Sequence, residues 1–397
     1  MTHDKIAVFG AGAMGAGIAQ VVAAAGKKVT LVDIKPEFVD GGIKRIEGRF
    51  ASDVKKGKMA PEEKERFMGL VTGSADPVSA SDAELVIEAI IEDRGAKADL
   101  FRTLNGHCGP QTVFATNTST LSVTDLAGLS GRPARFLGLH FFNPVHAMKL
   151  VEIVPGLDTD PVVLADAQET MKAIKKVPAA VQDCPGFLVN RILLSYMNEV
   201  LLAAEEGISP EVIDTEMKKL GFPMGPLELS DMVGWDVSLH TFPILHNAYG
   251  ARFPELRLVP KLNDAGRLGI KSGKGIYADG QIDDEYRAMV ASIGSKRSGA
   301  PFTADRLMLK QINEAIYCLQ EGVASCENID RAMVLGTAFP HEGPLHWADA
   351  QGLDRVLSTL ERLAKTEGPR FWPHHLLRTY VAGGRLGTKT GRGFFTY

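Results

Sequence analysis

Residues 5–33 read KIAVFGAGAMGAGIAQVVAAAGKKVTLVD. Lys5 to Phe9 is short and apolar after its first residue, as a buried strand would be. Gly10-Ala11-Gly12-Ala13-Met14-Gly15 follows, then a helix of small residues to Ala25 that Gly26 closes. A second strand, Val29–Val32, ends at Asp33. Strand, glycine turn, helix, strand and acid make up a dinucleotide-binding βαβ unit. The glycines do separate jobs: a tight turn, close approach of a pyrophosphate, and close packing of helix on strand. The helix N-terminus offers N–H groups and a partial positive charge to the phosphates. Gly10, Gly12, Ala13, Met14 and Gly15 are therefore the expected cofactor contacts. Asp33 can accept from both adenosine ribose hydroxyls and would repel a 2′-phosphate. No arginine directly follows it (Ile34-Lys35-Pro36), so NAD is expected over NADP.

Strand signals recur outward from this unit, at Gly69–Val71, Leu85–Ile87, Val113–Ala115, Phe136–Leu139 and Val177–Gln182, with helical stretches between. Such alternation implies a mostly parallel sheet covered on both faces, here a Rossmann-type α/β domain over residues 1–183. Ligands bind at the carboxyl ends of its strands. Three polar sites fall there: Glu88 to Glu92, leading to a helix with Lys97; Asn117-Thr118-Ser119-Thr120; and His140. Pro36 to about Lys58 is a long helical stretch carrying Lys44, Arg45, Arg49, Lys55, Lys56 and Lys58. It reads either as a solvated face or as a lid that meets a phosphate-bearing substrate.

Residues 138–154, GLHFFNPVHAMKLVEIV, place two ionisable groups in apolar surroundings. Glu152 sits inside Leu150–Val154, which reads as a strand apolar on both faces. A carboxylate there needs a partner, because an unpaired buried charge is costly. His140 can supply one, donating one ring N–H to the carboxylate and keeping the other nitrogen as a base. His146 lies close enough in sequence to compete for that role.

A net charge of −4 gives no global basic signal for nucleic acid or membrane. Cys108, Cys184, Cys318 and Cys326 show no CxxC spacing and suggest reduced thiols; no metal site is expected. Only MTHD precedes the first apolar run, and no stretch approaches 18 apolar residues. A cytoplasmic protein without signal peptide or membrane span is expected.

From Asp183 the strand signals stop and the sequence repeats. Asn190-Arg191-Ile192-Leu193 with Asn198-Glu199 matches Asp305-Arg306-Leu307-Met308 with Asn313-Glu314. Gly225-Pro226-Leu227 with Asp231 matches Gly343-Pro344-Leu345 with Asp349, and the GRLG run from Gly266 matches that from Gly384. Two tandem all-α copies are expected, at 184–295 and 296–397, with residues 295–300 as the exposed linker. The first copy opens with Pro185-Gly186-Phe187 and carries Asn190, which can point back to the cleft. The second lacks both, so its expected job is to bury the first copy's apolar face.

A dinucleotide with a His–Glu pair at the strand ends suggests hydride transfer from a hydroxyl-bearing carbon. The glycine loop, EAIIED, NTST, GLHFFNPV…KLVEIV, PGFLVNR, GFPMGPLEL and KSGKG together resemble the L-3-hydroxyacyl-CoA dehydrogenase family, over residues 5 to about 278. The second helical copy is similar to the arrangement in the multifunctional β-oxidation enzymes, as is His146. The resemblance implies His140 as base, Glu152 as its partner, and Ser119 and Asn190 as substrate contacts. It implies Glu92, Lys97 and Asn117 near the ribose and nicotinamide, Asp33 on the adenosine ribose, and Lys44 and Arg49 toward coenzyme A. It also implies NAD-dependent, reversible oxidation of (S)-3-hydroxyacyl-CoA in fatty acid metabolism, without the hydratase step. Gly95 departs from the pattern, where a helix former would be expected after Glu92. Two alternatives stay open: a dehydrogenase of a small hydroxy acid, and an idle NAD-binding protein of the same fold. Short family members pair through their single helical copy. A second copy in the chain favours a monomer with an internal pseudo-dimer over a homodimer.

Overall fold

In the computed structural model, which describes residues 2–295 and 301–397, β1 (Lys5–Phe9) runs into α1 (Ala13–Ala24), and β2 (Lys28–Val32) returns parallel to β1. Then follow α2 (Pro36–Lys55), α3 (Pro61–Met68), β3 (Val71–Ser74), β4 (Leu85–Glu88), α4 (Arg94–His107) and β5 (Val113–Thr116). After these come α5 (Val123–Leu129), β6 (Phe136–Phe141), β7 (Leu150–Pro155), α6 (Pro161–Ala173) and β8 (Val177–Ala180). The strands form one sheet in the order β3-β2-β1-β4-β5-β6-β7-β8. The order reverses between β1 and β4, the topological switch point where such sheets open a ligand crevice. β7 turns back antiparallel to β6, and β8 runs parallel to β7.

Every residue of β4, β5 and β6 is buried, as near-continuous apolar strands covered on both faces should be. Ile18, Ala19, Val22 and Ala23 of α1 join Val8, Leu31, Ile87, Leu139 and Ile153 in one core. The small residues of α1 let it lie close: a Cβ on Gly15 would stand 1.7 Å from the Gly10 carbonyl oxygen. Several boundaries differ from the expected ones. Gly69 caps α3, its N–H donating to Glu65, so β3 begins only at Val71. β8 stops at Ala180, short of Gln182. β6 continues through Phe141, so His140 lies within the strand and not after it.

The first compact unit is Met1–Phe187 and the second is Leu188–Tyr397. The second is helical: α7 (Val189–Glu205), α8 (Pro210–Lys219), α9 (Pro226–Val233), α10 (Trp235–Tyr249), α11 (Leu258–Asp264) and α12 (Asp284–Ile293), then α13 (Ala304–Gln320), α14 (Cys326–Thr337), α15 (Pro344–Gln351), α16 (Leu353–Thr366) and α17 (His375–Ala382). Of the expected linker, residues 296–300 lie outside the described residues.

α7 packs along α13. Their contact is not only apolar. Arg191 donates to Glu314 at 2.7 Å and pairs with Glu321 at 2.7 Å, while Arg306 donates to Glu199 at 2.6 Å and to Glu206 at 2.8 Å. The turns after each run are built alike. Asp214 accepts from Leu227 and Glu228 N–H, and Asp330 from Leu345 and His346 N–H. A Cβ on Gly275 or Gly393 would stand 1.9 Å from a carboxylate oxygen of Asp231 or Asp349, respectively.

Candidate active site

β6 and β7 pair with His140 directly opposite Glu152. In an antiparallel pair, opposite residues project to the same face, so the register alone brings imidazole and carboxylate together. His140 Nδ1 lies 2.7 Å from Glu152 Oε2, with His140 4% exposed and Glu152 fully buried. A carboxylate can only accept, so Nδ1 carries the hydrogen and Nε2 is left with its lone pair. Ser119 Oγ lies 3.0 Å from that Nε2. Phe142 and Phe187 stand beside the ring, with centroids at 4.6 and 5.7 Å, and limit its rotation.

Ser119 is placed by a carboxylate. Glu92 Oε1 accepts from the Ser119 N–H at 2.9 Å, the Thr120 N–H at 3.2 Å and the hydroxyls of Thr118 and Thr120. Lys97, 1% exposed, bridges Glu92 Oε2 at 3.1 Å and Glu88 Oε1 at 2.6 Å. Glu88 also accepts from the Thr116 hydroxyl and the Ile90 N–H. Burial pushes the Glu88 carboxyl above its ordinary range, against the pull of Lys97 and Thr116. Burial acts the same way on Glu92, but Lys97 and the donors of the 118–120 turn outweigh it and hold that carboxyl low. Gly95 fits this arrangement. It follows the α4 cap Asp93, whose carboxylate accepts from the Ala96 N–H, and a Cβ at Gly95 would press within 3.3 Å of that carboxylate.

Ser119, His140 and Glu152 in a chain also suggest a nucleophilic serine. Such a serine needs free N–H donors for an oxyanion. Here the N–H groups of Ser119 and Thr120 point at the Glu92 carboxylate, which would repel that charge. The arrangement suits proton removal from a bound hydroxyl, with Ser119 as a second hydrogen-bonding group beside it.

The glycine turn fits a dinucleotide. Gly10 has φ +99°, and a Cβ there would stand 2.4 Å from the Ala89 carbonyl oxygen, so the fold itself requires glycine. Gly12 is different: a Cβ there would meet no protein atom within 4 Å. Its smallness serves the approach of something outside the fold, as a pyrophosphate requires. α1 starts at Ala13 with no side-chain cap, leaving Ala13 and Met14 in a first turn suited to phosphate. Asp33 Oδ2 accepts from the Ala11 N–H at 2.6 Å, which fixes the acid beside the turn. Arg45, from α2, donates to the Ala11 carbonyl at 3.0 Å and holds the same turn.

Asn117 Oδ1 accepts from the Phe141 N–H at 2.9 Å, tying the 117–120 turn to the strand of His140. Lys97 is engaged by two carboxylates. Lys44 is exposed on α2, and Arg49 is half-buried there. His146 is exposed in the β6–β7 loop; partial burial of its ring and the charge of Arg49 push its imidazole below the ordinary value. Asn190 belongs to the second unit, in the first turn of α7. Sequence reasoning placed Glu88 and Thr118 in strand-end polar stretches and Arg45 in the basic helix without giving them these contacts, and it missed Thr116. A glutamate ending an apolar strand, with a lysine nine residues on, was the available signal for Glu88. Among the described residues, no cluster of histidine, cysteine and acid is placed to hold a metal ion, and no helix is long and apolar enough to cross a membrane.

Comparison with known proteins adds names to this geometry. The sequence model of the 3-hydroxyacyl-CoA dehydrogenase NAD binding domain matches residues 5–184. That of the 3-hydroxyacyl-CoA dehydrogenase C-terminal domain matches residues 186–279 and 302–397. Among solved structures, 3-hydroxybutyryl-CoA dehydrogenase from Escherichia coli is 32% identical, with a TM-score of 0.88 over 96% of this chain and 99% of that one. (S)-3-Hydroxybutyryl-CoA dehydrogenase from Ralstonia eutropha is 36% identical, with a TM-score of 0.68 over 70% of this chain and 99% of that one. The dehydrogenase part of multifunctional enzyme 1 from C. elegans is 26% identical, with a TM-score of 0.67 over 96% and 90%. An NAD-binding sheet domain followed by a helical C-terminal domain, matched along almost the whole sequence, makes this chain a member of the 3-hydroxyacyl-CoA dehydrogenase family, an NAD-dependent dehydrogenase.

Proposed function

We propose that the chain oxidises (S)-3-hydroxyacyl-CoA to 3-oxoacyl-CoA, reversibly. The observation that carries this reading is the chain from Ser119 through His140 to Glu152 at the carboxyl ends of β5 and β6. NAD, when bound, supplies the hydride acceptor. His140 Nε2 takes the proton of the 3-hydroxyl, and the ring becomes imidazolium. Glu152 holds Nδ1–H, fixes the tautomer, and stabilises the positive charge as it forms. Ser119 Oγ orients the substrate oxygen. Gly12, Ala13, Met14 and Gly15 receive the pyrophosphate, and Asp33 the adenosine ribose. For Asn190 as a substrate contact, the support is the resemblance of PGFLVNR. Arg49 and Lys44 on α2 are the candidates for the coenzyme A phosphates. Run toward the ketone, the reaction belongs to β-oxidation.

We further propose that residues 184–295 and 296–397 are two copies of one helical domain, supported by the double match of the C-terminal domain model and by the like-built turns. The reciprocal Arg–Glu pairs of α7 and α13 support a monomer in which one copy serves as the other's partner.

The test is NADH formation from (S)-3-hydroxybutyryl-CoA compared with free 3-hydroxybutyrate. Turnover of the thioester alone is expected. Turnover of the free acid alone would make the chain a hydroxy-acid dehydrogenase, and no turnover of either would overturn the reading.

A further inference from the structure

Lys176 lies between α6 and β8, outside the chemistry above. Its ammonium reaches under the loop of residues 142–149, which joins β6 to β7. It donates to the main-chain carbonyl of Val145 and, at 2.7 Å, to that of Met148. The residue is 7% exposed, and among the described residues no acidic side chain pairs with it. Burial accordingly pulls it down to about 8 from the usual lysine value. An ammonium buried without a carboxylate is a costly choice where an apolar side chain would pack at no such cost. The return on that cost is the fixing of this one loop.

The loop is held from its other side by the nucleotide helix. Val145 is 2% exposed, and a Cβ on Gly17 of α1 would come within 3.0 Å of its Cβ and Cγ2. Within the loop, the N–H groups of Ala147 and Met148 donate to the Pro144 carbonyl at 2.9 and 3.0 Å. The loop's two ends are the strands that set His140 opposite Glu152. One compact turn therefore touches α1, whose N-terminus carries the glycine turn, and continues directly into the His–Glu pair.

We propose that Lys176 is a positioning residue for hydride transfer: by clamping the β6–β7 loop against α1, it fixes the imidazole of His140 relative to the dinucleotide turn. The proposal rests on His140 being the base. A misplacement of about 1 Å at a reacting group costs on the order of 100-fold in rate without removing any contact to substrate. Loosening the clamp therefore acts on kcat and spares binding.

The experiment compares wild type with K176M, K176R and G17A in oxidation of (S)-3-hydroxybutyryl-CoA, with NADH affinity read by fluorescence. G17A pushes on the same loop through Val145 and leaves the lysine intact. K176M and G17A are expected to lower kcat by about 10- to 100-fold, with KM and the NADH Kd within about 3-fold of wild type. K176R, which keeps a charged donor pair, is expected to recover most of the lost kcat. Unchanged kcat in a folded K176M would overturn the proposal, as would a loss that falls on KM or Kd instead. If K176M does not fold, G17A and K176R decide: wild-type kcat in G17A would reduce Lys176 to a structural role. A wild type without turnover, or H140A with turnover, would instead remove the reading on which the proposal rests.

Discussion

His140 has both ring nitrogens engaged by side chains, Nδ1 by Glu152 and Nε2 by Ser119, and in the proposed reaction it is the second that gives way to substrate. On the proposed mechanism H140A should abolish turnover while NADH still binds, because the base is removed and the glycine turn and Asp33 are left intact. His146 is exposed in the next loop, and its charged surroundings are Arg49, Asp53, Lys176 and Lys56. It lacks a carboxylate clamp like that of Glu152, so H146A should keep kcat within about 3-fold, assayed beside H140A. E152Q keeps the shape but removes the charge that, in the proposed mechanism, stabilises the imidazolium. It should lower kcat by about 10- to 100-fold with little change in KM, since the charge develops only as the proton moves. D33A should relax the discrimination against NADP, read as the ratio of kcat/KM for the two cofactors; unchanged discrimination would remove Asp33 from ribose recognition. His140 and Glu152 are legible in the sequence because an ionisable group inside an apolar run demands a partner, and Ser119 because its polar turn follows an apolar strand. Glu92 is legible as an acid beyond a strand end, but its attachment to the Ser119 turn is not, since that contact spans 27 residues and depends on where two strands end.

β4 and α4 meet through one buried ion pair. Glu88 is fully buried and Lys97 is 1% exposed, and that lysine also reaches Glu92. Removing one partner of a buried pair costs about 3–5 kcal/mol, because the other charge is left without compensation. K97M should therefore destabilise the first unit strongly, read as a shift in urea midpoint. The loss should depend on pH with a definite sign. Burial already holds the Glu88 carboxyl above its unfolded value, and loss of Lys97 removes its main opposing influence. A group with a raised folded pKa binds its proton in the folded state first, so its stabilising contribution is present at low pH and lost as pH rises through the folded value. K97M should thus regain stability as pH falls from 7 toward 5; a gap to wild type that stays constant over that range would argue that Glu88 is not left charged. The elements themselves are largely legible in the sequence, because apolar strands alternate with helices. Their ends are less so. β6 runs on through His140 because Phe141 continues the ladder opposite Val151, a pairing set by β7 and invisible in β6 alone.

In the whole second unit, the ion pairs of α7 and α13 are reciprocal. Arg191 reaches Glu314 and Glu321; Arg306, 115 residues further on, reaches Glu199 and Glu206, each 115 residues before those partners. Arg252 and Arg370 extend the exchange, to Glu314 and to Glu199. The repeated motifs are legible in the sequence, but this pairing is not. Arg191 and Arg306 find their acids 100 or more residues away, and periodicity alone marks the helix face as apolar. One position breaks the reciprocity. Lys310 stands where the first run has Ser195; it is 1% exposed, donates to the Arg252 carbonyl at 2.7 Å, and is pulled down to about 8 by burial. A lowered folded pKa means that the unfolded chain holds the extra proton between pH 8 and the ordinary lysine value. Wild type should therefore gain stability relative to K310M as pH rises from about 8 to 10, by up to a few kcal/mol, read from urea midpoints of the two proteins side by side. Reciprocity of this kind is what an isologous interface between two subunits shows, with each surface meeting its own equivalent. Here both surfaces belong to one chain, and Glu199 and Glu314, both essentially buried, are already paired. A second chain would have to break those pairs to use the same face, leaving buried charges uncompensated. Light scattering should therefore give the mass of one chain, 42.8 kDa, independent of concentration. E314A should destabilise the second unit by removing the buried carboxylate of the two that hold Arg191, without producing a dimer, whereas a stable dimer of wild type would show that the paired face is not the one through which these chains associate.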